Sequence, residues 1–319
     1  MSYDAGIDQI EKNSLTLHRN ENLFIDPSFL QQLATQVTSE INFCSYPESL
    51  SEKLRTAISE YHHCSPDEVY VGNGADGVLA DLLSFLREKY DEVGLQQVTY
   101  RVYPYLCKRY GYKQKHLSET SQFWMIDSPN SITGEVFDFT SANPELLIWD
   151  NVYGEYVINE PAAIQKIDHP NLVKIHSFSK FFGLASLRIG YCLGNRELIS
   201  SLLKRKDVFN VNSFAQNMAI LALKNREYFS SLVLEMHEAK KALNEGLLEL
   251  GFSVNMGKAN FVWVTHPSIC MKTLRENLNK ESILVRLFDE SPLTNFIRVT
   301  VPPLPAVDYL LNILKNKVS

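Results

Sequence analysis

Little in this chain would cross-link it or draw it into a membrane. Five cysteines in 319 residues, at Cys44, Cys64, Cys107, Cys192 and Cys270, never fall at Cys-x-x-Cys spacing. Neither a zinc site nor a disulfide framework is expected, and a reducing cytoplasm fits best. No unbroken apolar stretch approaches the ~20 residues of a membrane helix. Met1 to Lys12 is polar and acidic, without the apolar centre of a signal peptide. Internal repeats and low-complexity tracts are missing. Positive charge is not in excess: 31 Lys and Arg face 37 Asp and Glu, a net charge of −6. With no basic stripe to neutralise a run of phosphates, and no helix-turn-helix ahead of Leu15, a nucleic-acid surface is not expected. Anionic ligands must then be held by a few local arginines.

A length of 319 residues suits two lobes or one large α/β domain. The most informative stretch runs from Ser177 to Tyr191, Ser-Phe-Ser-Lys-Phe-Phe-Gly-Leu-Ala-Ser-Leu-Arg-Ile-Gly-Tyr. The apolar run Leu172 to Ile175 reads as a buried strand that delivers Ser177, Ser179 and Lys180 to its carboxyl end, the usual ligand crevice of an open α/β sheet. Hydroxyls with the planar donor fork of Arg188 suit a phosphate. A lysine held there can form a Schiff base with an aldehyde if its surroundings disfavour the ammonium form.

A second phosphate cradle follows the short strand Glu68 to Val71. Gly72-Asn73-Gly74-Ala75-Asp76-Gly77 opens an amphipathic helix, so free amides near Ala75 and Asp76 can face an anion. An ordinary helix cap would look the same. The spacing departs from a dinucleotide fingerprint, which favours a single phosphate. Leu95 to Thr99 reads as a strand tipped by Tyr100, an aromatic able to stack on a ring. Leu146 to Trp149 delivers Asp150, with Tyr153 three residues on. A carboxylate buried there needs a cationic or donor partner, unless it is an acidic helix cap. Arg286 and Arg298 each lie inside an apolar strand, where a guanidinium requires an anion: a ligand, or a structural partner such as Glu281, Asp289 or Glu290.

The string around Lys180 resembles the lysine motif of fold-type I pyridoxal-phosphate enzymes, and within them the class I/II aminotransferases, nearest the histidinol-phosphate aminotransferase group. The resemblance runs from about Leu15 to Val301. It implies pyridoxal 5'-phosphate on Lys180, with the ring nitrogen facing Asp150 and the phenolic oxygen facing Tyr153. It also implies a phosphate held by Ala75, Asp76, Ser177, Ser179 and Arg188. A ring-stacking tyrosine falls at Tyr100, although the proline of the family's Pro-Thr-Tyr is Val98 here. The family's Asn-Pro-Asn-Asn-Pro-Thr-Gly reads Ser128 to Gly134, so Ser131 stands where the family's Asn contacts the 3-oxygen; a serine is shorter, so either Asn130 substitutes, a water bridges, or the contact is absent. Tyr46 of Tyr46-Pro47 is implied to reach the neighbour's cofactor across a dimer; a packing role at a turn is the other reading. Asn22, with Arg19 and Asn20, is implied at the substrate mouth, and Arg298 on the substrate carboxylate. Arg286 is left for a side-chain phosphate or a second carboxylate.

The expectation is an α/β fold-type I PLP-transferase with a large, mostly parallel sheet domain and a smaller α/β C-terminal lobe. Residues 1–40 would join the small lobe, 41–235 form the cofactor domain, and 236–319 complete the small one. The expected reaction is transamination of an amino acid or amino-alcohol phosphate with a 2-oxo acid, foremost histidinol phosphate with 2-oxoglutarate, in a cytoplasmic homodimer. Phosphothreonine decarboxylation, aromatic transamination and a non-catalytic PLP-binding regulator are the alternatives.

Overall fold

The structure is a computed structural model that describes residues 14–117, 121–138, 144–157, 171–288 and 293–318. After a short strand β1 (Leu15–Leu17) come two helices, α1 (Pro27–Glu40) and α2 (Glu52–His62). Seven strands then build the larger sheet: β2 (Val69–Gly72), β3 (Glu92–Leu95), β4 (Lys113–His116), β5 (Phe123–Asp127), β6 (Leu146–Asp150), β7 (Leu172–Ser177) and β8 (Gly190–Leu193). Their order is β2-β8-β7-β6-β5-β3-β4. Only β8 opposes its neighbours, β2 and β7; β4, β3, β5, β6 and β7 are parallel in turn. Every residue of β6 is buried, as expected for a parallel strand covered on both faces.

Helices α3 (Gly74–Leu86), α4 (Val102–Tyr110) and α5 (Arg196–Arg205) belong to one core with the sheet. Val78, Leu79, Leu82 and Leu83 of α3 meet Val93, Ile148 and Ile175 there. After α6 (Ser213–Lys224), the long helix α7 (Arg226–Glu249) carries the chain toward the second sheet. The division expected at residue 235 falls inside α7.

The second sheet contains β9 (Ser253–Asn255), β10 (Phe261–Thr265), β11 (Ile283–Phe288) and β12 (Phe296–Thr300), with helices α8 (Met271–Lys280) and α9 (Leu304–Val318). Its order is β1-β11-β12-β10-β9. The opening strand β1 thus lies beside β11, parallel, with Leu15 opposite Ile283 and Leu17 opposite Val285. Lys240 of α7 is fully buried and donates to the carbonyl oxygens of Gly257 and Ala259 at 3.2 and 2.6 Å. In the same loop, the Lys258 amide donates to Gly134 O at 2.6 Å. These bonds tie the second sheet's entry to α7 and to the loop after β5.

Two boundaries differ from the sequence reading. The strand expected through Thr99 stops at Leu95, because side chains take over the backbone beyond it. Asn130 donates to Val98 O at 2.9 Å, and the Thr99 hydroxyl donates to Asp127 at 3.0 Å. The helix expected from Glu48 starts at Glu52. Ser51 is left-handed, with φ of 50°, and its amide closes a turn on Glu48 O.

Candidate active site

Asp127, Asp150 and Ser177 end three adjacent parallel strands, and their side chains meet at one cleft of about 200 Å³. Asp127 and Asp150 are in direct register, two buried acids with different surroundings. Asp127 accepts from the Ser131 amide and hydroxyl, both at 2.8 Å, from Thr99 at 3.0 Å and from Asn130 at 3.2 Å. Asp150 accepts from the Tyr103 hydroxyl at 2.8 Å and the Val152 amide at 3.1 Å. Burial, with the charge of Asp127 adding to it, pushes the Asp150 carboxyl up to about 7 against the Tyr103 hydrogen bond. A cation placed against Asp150 would reverse that shift.

Lys180 follows β7 and lies partly buried in the same cleft. Its Nζ donates to the carbonyl of Arg19 at 2.7 Å and sits 6.0 Å from the centre of the Tyr153 ring. Burial, with the nearby Arg298 guanidinium adding to it, brings its amine down to about 8. A neutral fraction of about one-tenth at pH 7, far above that of an unperturbed lysine, makes it a usable nucleophile and proton carrier. The hydroxyl of Tyr153 accepts from Asn20 Nδ2 at 2.8 Å.

One end of the cleft is built for an anion. Ala75 and Asp76, in the first turn of α3, face Ser177, Ser179 and Arg188 across it. Arg188, left-handed at φ of 48°, pairs with Asp76 at 3.1 Å. Tyr100 donates to the other Asp76 oxygen at 3.1 Å. Two glycines permit this geometry. A Cβ on Gly74, whose φ is +75°, would lie 2.7 Å from the Arg188 fork, and one on Gly190 would lie 2.5 Å from the Ala75 amide nitrogen. Short hydroxyls, a guanidinium and a helix N-terminus form a donor set for a phosphate.

The opposite wall comes from the second sheet. Arg298 donates to Ser131 O at 2.5 Å and His18 O at 3.1 Å, so carbonyls fix its fork. Arg286 is its direct cross-strand partner. Glu281, weighed as a structural partner for these arginines, pairs with Lys317 at 2.8 Å. Asp289 and Glu290 lie outside the described residues.

Several expected residues stand elsewhere. The Asn22 amide donates to Phe181 O at 2.8 Å, and Asn20, two residues earlier, reaches the cleft in its place. Asn130 does not line this cleft; its Oδ1 accepts from the Ile132 and Thr133 amides at 3.0 and 2.9 Å. Ser131 does line it, with its hydroxyl committed to Asp127. Tyr46 is 83% exposed, stacked on Phe209 at 4.7 Å, and no part of the cleft within one chain. Asp127 and Arg101 were not singled out from sequence, and Tyr103 only as the second tyrosine of the Tyr-x-x-Tyr motif that begins at Tyr100. The spacing of Tyr103 from Tyr100 was visible, but its partner Asp150 is 47 residues away.

The aminotransferase class I and II family model matches residues 12–314. Histidinol-phosphate aminotransferase 2 of Thiobacillus denitrificans is 31% identical over 328 residues, covering 95% of this chain and 91% of that protein. Among solved structures, histidinol-phosphate aminotransferase from Sinorhizobium meliloti in complex with pyridoxal-5'-phosphate aligns with a TM-score of 0.85 at 21% identity, over 96% of this chain and 90% of that one. L-threonine-O-3-phosphate decarboxylase from Porphyromonas gingivalis aligns with a TM-score of 0.82 at 17% identity, over 95% and 99%. Fold and family agree: the chain belongs to the class I and II aminotransferases and is a pyridoxal-phosphate-dependent enzyme of fold type I.

Proposed function

We propose that this aminotransferase exchanges the amino group of histidinol phosphate with 2-oxoglutarate, using pyridoxal phosphate held on Lys180. The carrying observation is the lysine itself, lowered to about 8 in a cleft with a buried acid on one wall and opposed arginines on another. The relative from Thiobacillus denitrificans, named for that substrate, supports the choice. The residues present fit the cofactor. Ala75, Asp76, Ser177, Ser179 and Arg188 would hold its phosphate, Asp150 its ring nitrogen, Tyr153 its phenolic oxygen, and Tyr100 one face of the ring. Asn130 and Ser131 would act from beneath, by setting Asp127 and the loop that carries Arg298's carbonyl partner. When bound, the cofactor supplies an aldehyde that takes up the amino group and a ring that accepts the electron pair of a broken C–H bond.

The chain's own groups do the rest. Lys180 takes the proton from the substrate's reacting carbon and returns it on the other side of the exchange. Arg298 and Arg286 grip the anionic end of the substrate, which fixes the reacting bond relative to Lys180. Asn20 orients the Tyr153 hydroxyl, and Asn22 steadies the loop after Lys180 through Phe181 O. Tyr46 would complete the neighbour's phosphate site in a cytoplasmic homodimer.

Incubating the holoenzyme with histidinol phosphate or phosphothreonine, while following the cofactor's absorbance and carbon dioxide, tests the reading. Conversion to the amine form with histidinol phosphate, restored by 2-oxoglutarate, is expected. Carbon dioxide from phosphothreonine without that conversion would refute it. Lys180→Ala should lose borohydride-fixed cofactor and at least about 10³-fold in turnover.

A further inference from the structure

Lys240, midway along α7, lies outside the cleft yet is 1% exposed. It donates to two backbone carbonyls of one loop, Gly257 O and Ala259 O. Burial, with the charge of Lys258 adding to it, brings its amine down to about 7. A neutral amine still carries two N–H groups, one for each carbonyl, so the grip holds on either side of that titration. An aliphatic side chain of the same length would leave buried acceptors unpaired.

The loop it holds leads toward the cleft. Gly257, left-handed at φ of +49°, packs backbone to backbone on Gly134, and a Cβ there would lie 2.7 Å from three Gly134 atoms. Next to Ala259 stands Asn260, buried, whose carbonyl accepts from the Val301 amide at 3.0 Å. Its Nδ2 donates to Asn20 O at 3.1 Å and to Glu21 O at 3.3 Å. Asn20 is left-handed, with φ of 54°, a conformation that lasts only where the surroundings impose it. Thr300 meets the Asn20 amide at 3.0 Å from β12. Asn20 then donates to the Tyr153 hydroxyl, and Arg19 beside it offers the carbonyl that Lys180 Nζ meets.

We propose that Lys240 is a positioning residue for the cofactor site: through Ala259 and Asn260 it fixes the Arg19–Glu21 turn, which sets the Tyr153 hydroxyl and the Lys180 amine. This rests on the reading that Lys180 carries the cofactor. Lys240 touches no reacting atom. Its effect reaches the site through a continuous run of hydrogen bonds between buried groups, in which each partner has one place to stand.

The test compares Lys240→Met, which keeps the length and removes the donors, with Lys240→Arg, which restores them. Leu243→Ala, at a buried position one turn along α7, controls for general loss of stability. In the cofactor-free protein, hydrogen exchange at the amides of residues 18–22 should be about tenfold faster in Lys240→Met than in Leu243→Ala. Lys240→Arg should recover most of the wild-type protection. In the holoenzyme, the pH midpoint of the cofactor's absorbance should move by about half a unit in Lys240→Met and stay in place in Leu243→Ala. Asn260→Ala removes the next link and should move the midpoint similarly, with the double variant going no further than either single change. Should Lys240→Met fail to fold, Lys240→Gln, a shorter donor, carries the same comparison. Additive shifts, or a midpoint that stays put while exchange rises, would overturn the proposal and leave Lys240 a structural residue of the second lobe. Borohydride fixing the cofactor on another lysine would strike the reading of Lys180 alone, and the exchange comparison would still decide whether Lys240 holds the turn.

Discussion

At the scale of single residues, Asp150 carries the sharpest pH consequence. Its folded value near 7 lies above the ordinary 3.8. Between those values the folded protein keeps a proton that the unfolded chain releases, so stability present below about pH 4 is lost as pH rises toward 7. Asp150→Asn should flatten this decline in the cofactor-free protein by up to about 1.4 kcal/mol per pH unit. Urea unfolding at pH 5 and pH 7 measures it, and a variant slope equal to wild type's would mean that Asp150 is already ionised. Asp150 and Lys180 were legible in the sequence because each follows an apolar run that ends at a sheet's rim. The hydroxyl of Tyr103 was not, since helix α4 hides its direction. Nor was Asp127, whose ligands come from loops at Thr99 and Ser131.

At the scale of elements, the approach of β8 to the start of α3 decides how the phosphate end is formed. Gly190 lets the strand pass beneath the Ala75 amide, and any Cβ there would meet backbone atoms that cannot rotate away. Gly190→Ala should therefore displace the first turn of α3. It should cost about 1–3 kcal/mol of stability and weaken the cofactor about tenfold, as read by thermal melting and cofactor titration. Full retention of affinity would separate the helix start from phosphate binding. Buried strands such as β6 and β7 were plain from their apolar runs, and α3 from its leucine spacing. The end of β3 was not, because the residues beyond Leu95 are held by a distant side chain, Asn130 donating to Val98 O, that no local pattern announces. The neighbour of β1 was equally hidden, as no local pattern links Leu15 to Ile283.

At the scale of the whole molecule, an apolar surface stands uncovered in the single chain. Phe43 is 71% exposed, Tyr46 83% and Val208 71%, with the Tyr46 ring stacked on Phe209. We propose that a second copy of the chain covers it. Gel filtration should give about twice the 36.4 kDa of one chain, and Tyr46→Phe should lower cofactor affinity by removing a hydroxyl from the neighbour's phosphate. A monomer, or unchanged affinity, would remove the proposed role in trans. The segment after β1 has a different reach, touching Lys180 through Arg19 O, Tyr153 through Asn20, and Arg298 through His18 O. Its strand cannot dock until β11 exists, some 270 residues later in the chain. On a ribosome, β1 must therefore wait for β11. Each newly synthesised molecule becomes competent only once β11 has emerged and β1 has docked beside it.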